Sequence, residues 1–185
     1  MFSLEVRELT RRTEEAALVN HVSFSLLPGE LFVILGPPQS GKTTLLRLIG
    51  GLEEPDSGSV AINGEDMANV PAAKRKVSIL FQHGFGLIPH LDAHENIAFV
   101  LHHAVMSKDG KEYRISAIAK KLNIVHLLEK KVSTLRVEEQ MRIALARALV
   151  KDPTLYLFDD IFANFDTSTR LAVRQELVEM QRAAH

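Results

Sequence analysis

The stretch Gly36-Pro37-Pro38-Gln39-Ser40-Gly41-Lys42-Thr43-Thr44 limits what this chain can fold into more than any other part of it. An apolar run, Leu31-Phe32-Val33-Ile34-Leu35, leads into it, and helix formers follow from Thr44 to Ile49 before a Gly50-Gly51 stop. Continuous apolar residues suit a strand buried on both faces of a parallel sheet, so the order is strand, glycine-bearing loop, helix. The spacing of Gly36, Gly41, Lys42 and Thr43 is the pattern G-x-x-x-x-G-K-[ST]. In such a loop the backbone N–H groups at a helix N-terminus surround a polyphosphate, the lysine reaches its β- and γ-phosphates, and the hydroxyl ligates Mg²⁺. A glycine-rich surface turn can meet the pattern by accident. The strand before it and the helix after it favour phosphate.

A second apolar run, Leu155-Tyr156-Leu157-Phe158, ends in Asp159-Asp160. A carboxylate at a strand end can hold Mg²⁺ through water, and a second one beside it can orient or deprotonate an attacking water. Alone, the pair would be a solvated strand-end turn; beside the glycine loop it completes a phosphate and metal site.

The rest of the sequence supplies a frame. Val22, Phe24 and Leu26 alternate with polar residues before the turn Pro28-Gly29-Glu30, as in a half-buried strand. Ser59 to Ile62 reads as a strand entering a tight turn at Asn63-Gly64, and Val77 to Phe81 as a buried strand reaching Gln82. Helical patterns open at Asp92 or Ala93, run from Asp109 to Asn123 and from Val137 to Val150, and a last helix, capped by Thr167 or Ser168, runs on from there. The expected division is a nucleotide-binding core from 1–82 and 150–185, with a helical subdomain at 83–149.

Composition is ordinary for a globular domain: 185 residues, 46% hydrophobic and 24% charged, which excludes disorder as a whole-chain reading. A formal net charge of −1 gives no reason to expect nucleic acid as a partner, and Lys74-Arg75-Lys76 is far short of a nucleic-acid tract and reads as solvated surface. With no cysteine there is no disulfide or thiolate metal site. Charges near the N-terminus and the lack of a long apolar run point to a cytoplasmic chain. His90 and His94 share a possible helix face with Glu95 nearby, and His102-His103 follow, but four ligands do not converge in sequence.

Taken together, these motifs resemble the nucleotide-binding subunit of ATP-binding cassette (ABC) transporters over the whole chain. Gly36 to Thr43 matches the Walker A loop, Gln82 the Q-loop, Leu157-Phe158-Asp159 Walker B, and Ala163 to Asp166 the D-loop; Arg142 to Leu149 is similar to the helix after the family signature. The stretch from Gln82 to Ile97, with Glu95-Asn96-Ile97, is similar to the importer branch. The resemblance implies an α/β P-loop nucleoside triphosphatase fold with a mostly parallel core sheet, an N-terminal antiparallel β subdomain and a helical insert. It implies ATP and Mg²⁺ as cofactors, held by Gly36 through Thr44 and Asp159, with Thr43, Gln82 and Asp159 around the metal. Lys42, Gln82 and Asp160 would carry catalysis. The implied partners are a second nucleotide-binding subunit and a transmembrane subunit docking near 83–95, with the chain peripheral to the cytoplasmic face of the membrane.

Several residues depart from that pattern. Where the family has Leu-Ser-Gly-Gly-Gln, this chain reads Leu135-Arg136-Val137-Glu138-Glu139, which keeps a helix start and sets carboxylates where a phosphate would be met. Asp160 replaces a glutamate; a base about 1 Å short of its usual reach can cost ~100-fold in rate. Gln39 stands at a usual glycine position and Pro38 offers no N–H. Near Thr13, where the family has an adenine-stacking aromatic, the chain offers Arg11 and Arg12 instead, and a guanidinium can stack on a base. The resemblance also places one more strand and a switch histidine after the last helix. His185 is not that histidine, and the domain reads as C-terminally incomplete. Without that strand, a slot with unpaired backbone groups is expected between the Walker A and Walker B strands.

Overall fold

Alternating apolar residues at the N-terminus build a sheet. In the computed structural model, which describes residues 2–14, 16–81, 84–102, 104–162 and 167–183, β1 (Leu4–Arg12) pairs antiparallel with β2 (Ala17–Leu26) and with β3 (Ser57–Ile62). β4 (Glu65–Asp66) adds at the edge, giving the order β2-β1-β3-β4. Asn63 and Gly64 join β3 to β4 with φ of 50° and 78°, the left-handed pair a two-residue hairpin needs. Leu4, Val6, Leu9, Val60 and Ile62 bury their side chains, while the intervening residues of β3 face out.

Helix α1 (Lys42–Gly50) packs against β2 and buries Leu45, Leu46, Leu48 and Ile49. It ends at Gly51, whose φ of 73° lets its N–H return to the carbonyls of Arg47 and Leu48. The remaining elements are β5 (Val77–Leu80), α2 (Ala93–Phe99), α3 (Lys108–Lys121), α4 (Val137–Val150), β6 (Leu155–Phe158) and α5 (Thr167–Ala183). β5 and β6 form a two-stranded sheet. Contacts divide the chain into two units, one of 1–77, 154–159 and 177–185, the other of 78–153 and 160–176.

In the second unit α4 packs against α2 and α3. Met141, Ile143, Ala144, Leu145 and Ala146 of α4 are fully buried, as are Ile97 of α2 and Ile115 and Ala119 of α3. The helix starts carry ordinary capping chemistry. Asp92 accepts from the Glu95 N–H at 2.7 Å while the Asp92 N–H donates to Glu95 at 2.9 Å, and Ser107 accepts from the Gly110 N–H at 3.1 Å.

Two expectations are corrected. The run Leu31 to Leu35 is not a buried strand: among the described residues it joins neither sheet, and Leu31, Phe32, Val33 and Leu35 are exposed, Leu35 at 88%. Apolarity selects for burial, but a strand also needs a neighbour to complete its hydrogen-bond ladder. Phe32 stacks on Phe24 of β2 with ring centroids 5.0 Å apart.

The second correction is Arg75, which is not solvated surface. Its guanidinium donates to the carbonyls of Leu48 (3.1 Å), Ile49 (3.0 Å), Val70 (2.8 Å) and Met67 (2.8 Å). It thereby satisfies the C-terminal end of α1, and burial pushes its pKa down. A Cβ at Gly51 would overlap this guanidinium. Arg75→Met should therefore cost about 2 kcal/mol in urea unfolding, the scale of lost charged hydrogen bonds; a loss below ~0.5 kcal/mol would mean the carbonyls are satisfied by water.

Candidate functional site

Gly41 fixes the start of α1. It is the N-cap residue with φ 86° and ψ 5°, and a Cβ there would run into the Leu18 carbonyl oxygen of β2. Only glycine lets the loop lie that close to β2 and turn into the helix. Leu45 N–H then donates to Gly41 O at 2.8 Å, and the first turn carries neither a side-chain cap nor an acidic residue. The N–H groups of that turn are left for an anion.

Lys42 folds back over the loop. Its ammonium donates to Gly36 O at 2.9 Å, Pro37 O at 2.7 Å and Ser40 Oγ at 3.2 Å. At the next residue, the Thr43 hydroxyl donates to both oxygens of Asp159, at 3.1 and 2.9 Å. Asp159 follows β6 directly, so the strand end and the helix start meet through these two side chains. Gly36 through Ser40 are exposed, and Gly41 through Thr44 half-buried. Gln39, at the family's glycine position, takes φ 62°. It adopts the left-handed backbone a glycine would take freely, at a steric cost of roughly 1 kcal/mol.

This arrangement fits a Mg²⁺-bound polyphosphate. Unclaimed backbone N–H groups and a primary ammonium suit the phosphates, and a hydroxyl beside a carboxylate is a hard oxygen pair of the kind Mg²⁺ takes. Of the other residues singled out in the sequence, Gln82 and the stretch Ala163 to Asp166 lie outside the described residues. Asp160 belongs to the second unit; it is exposed and has φ 47°.

A model of the family described as ABC transporter matches residues 19–163. The chain belongs to the ABC transporter family. Spermidine/putrescine import ATP-binding protein PotA of Pseudomonas aeruginosa (strain UCBPP-PA14) is 37% identical over 179 residues, which are 97% of this chain and 49% of that protein. Molybdate/tungstate import ATP-binding protein WtpC of Pyrococcus horikoshii is 39% identical over 174 residues, 94% of this chain and 50% of that one. The chain thus spans about half the length of the curated relatives it matches. Among solved structures, cbiO1 of Clostridium perfringens, described as part of the ABC transporter complex cbiONQ, shares the fold with a TM-score of 0.89 at 24% identity, covering 99% of this chain and 75% of that one. These relatives fit the importer-type resemblance.

Against the ABC pattern, the signature segment is closed on itself. Arg136 is the N-cap of α4, its N–H donates to Glu139 Oε2 at 2.9 Å, and Gln140 Nε2 donates to Leu135 O at 2.9 Å. The Arg136 N–H holds the Glu139 carboxyl below the usual glutamate range, helped by the Arg136 and Lys130 charges. A carboxylate already sits at this helix start, where the family pattern expects a phosphate.

Near the position of the family's adenine-stacking aromatic, Arg11 pairs with Asp56, with Nη1 to Oδ1 at 2.9 Å, and the Arg12 N–H donates to Asp56 Oδ2 at 2.6 Å. Within 83–99, Phe85 is 6% exposed, whereas Phe99 is 59% exposed. His94 pairs with Glu112 at 2.8 Å, and the described residues hold no cluster of metal-ligating side chains.

Glu139→Ala should cost ~1 kcal/mol at pH 7, as for loss of a helix cap. A depressed pKa adds stability that is complete above the unfolded value near 4.3 and lost as pH falls through the folded one. The stability gap between wild type and Glu139→Gln, measured by chemical denaturation, should accordingly close on going from pH 7 to pH 3.

Proposed function

We propose that this chain is the ATP-binding unit of an ABC importer, binding MgATP and coupling its binding and slow hydrolysis to a membrane partner. The carrying observation is the pair of contacts at the P-loop: Lys42 gathered onto the Gly36 and Pro37 carbonyls, and Thr43 donating to both oxygens of Asp159. In this reading the α1 N-terminus and Lys42 bind the phosphates, while Thr43, Asp159 and Gln82 surround Mg²⁺. The metal would supply charge neutralisation between the phosphates. Asp160 orients the attacking water, and its short side chain keeps turnover slow. Residues 1–82 and 150–185 form the nucleotide-binding core and 83–149 the helical subdomain.

The self-capped helix start at Arg136–Glu139 shapes the partnership. A dimer of this chain with itself would bring two such starts to its two nucleotide sites, so fast turnover requires a second subunit with an intact signature. The membrane partner docks near 83–95, and the chain lies at the cytoplasmic face; among the described residues no helix is long and apolar enough to cross a membrane. PotA, WtpC and the sn-glycerol-3-phosphate import ATP-binding protein UgpC 1 of Rhizobium johnstonii, the last 34% identical, are named for chemically unlike cargoes. Cargo choice therefore belongs to the membrane partner.

The self-capped signature favours a second reading, a nucleotide-dependent regulatory subunit without turnover. Phosphate release separates the two. Importer coupling predicts little hydrolysis by the chain alone, at least a tenfold rise with a subunit carrying an intact signature, and its loss in Asp160→Asn. Nucleotide binding without turnover in any pairing would establish the regulatory reading instead.

A further inference from the structure

Between the short turn Gly84–Gly86 and the start of α2 the chain has no regular structure, yet its backbone is held at several points. Phe85 and Gly86 both have positive φ, 46° and 63°. Arg147, on α4, donates from Nη2 to Phe85 O and from Nη1 to Gly86 O, each at 2.6 Å. Asn96, on α2 and fully buried, accepts from the Ile88 N–H at 2.8 Å and donates to Ile88 O at 3.1 Å and Asp92 O at 2.9 Å. The Val132 N–H reaches Leu91 O at 3.2 Å, and the buried Phe85 ring anchors the start. Outward, Gly86, Pro89 and His90 are exposed, and Leu87 and Ile88 half-buried.

A loop needing only solubility leaves such carbonyls to water. Here they are met by a guanidinium whose pKa burial pushes down, with two neutral carbonyls as its acceptors. Desolvating that charge is costly, and a methionine would fill the space without it. What the planar fork adds is geometry: two donors at fixed spacing hold two successive carbonyls in one conformation. Asn96 does the same further along with three of its bonding positions.

We infer that Arg147 and Asn96 are positioning residues that hold segment 85–92 as a preformed docking loop for the membrane partner. The inference rests on the proposed placement of that partner near 83–95. A loop ordered beforehand binds without a further ordering cost, so loosening it weakens docking while leaving the nucleotide site intact.

The test compares wild type, Arg147→Lys, which keeps the charge and loses the fork, and Gly86→Ala, which strains φ and places a Cβ 3.1 Å from Arg147 Nη2 without touching the core. Hydrogen exchange of the full chain is read at Ile88 and along α4. Each tagged chain is also purified from detergent-solubilised membranes of its own cells, and the integral membrane subunit it retains is quantified. Both variants should speed exchange at Ile88 at least tenfold, change α4 amides less than twofold, leave MgATP affinity unaltered, and retain at least fivefold less membrane subunit. Unchanged exchange at Ile88, or faster exchange with full retention, overturns the inference. If Arg147→Lys also exposes α4, Gly86→Ala decides. A wild-type chain that retains no membrane subunit, with Ile88 protected, overturns the docking role by overturning the proposed function itself.

Discussion

The site depends on one close approach, the backbone of Gly41 against the Leu18 carbonyl of β2. No side chain fits between them, and the left-handed turn at Gly41 aims α1 away from the loop. From that start, Lys42 falls over the loop carbonyls and Thr43 comes within 2.9 Å of Asp159. The far end of the same short helix is secured by Arg75, which donates to the Leu48 and Ile49 carbonyls. A helix of nine residues is marginal alone; packing on β2 and tethers at both ends give it a defined place.

Much of this was readable from residue order. The helix from Val137 to Val150, the strand from Leu155 to Phe158, the turn at Asn63-Gly64 and the capping of α2 by Asp92 follow from local rules, and the structure has them at those positions. The glycine loop was readable because its chemistry is written in consecutive residues. What escaped was non-local. Arg75 reads as a surface charge and Arg147 as one residue of a helix, and only folding brings backbone carbonyls around them. Leu31 to Leu35 reads as a buried strand because periodicity reports side chains and is blind to whether a neighbouring strand exists.

The departures from the family pattern have different physical weights. Gln39 adopts the backbone of the glycine it replaces, so that substitution leaves the loop's shape intact at a small local cost. The signature segment is another matter: Glu139 caps its own helix, and a carboxylate held ionised there opposes an incoming phosphate. Under the proposed function, the chain keeps the P-loop half of a nucleotide site and alters the half it would offer to a second subunit.

Calorimetric titration of MgATP into the full chain, beside Lys42→Ala and with folding verified by circular dichroism, tests most directly whether the P-loop unit is a working phosphate site. Saturable binding by wild type and its loss in Lys42→Ala is the predicted result. Equal affinity in both, or no binding by a folded wild-type chain, would contradict it.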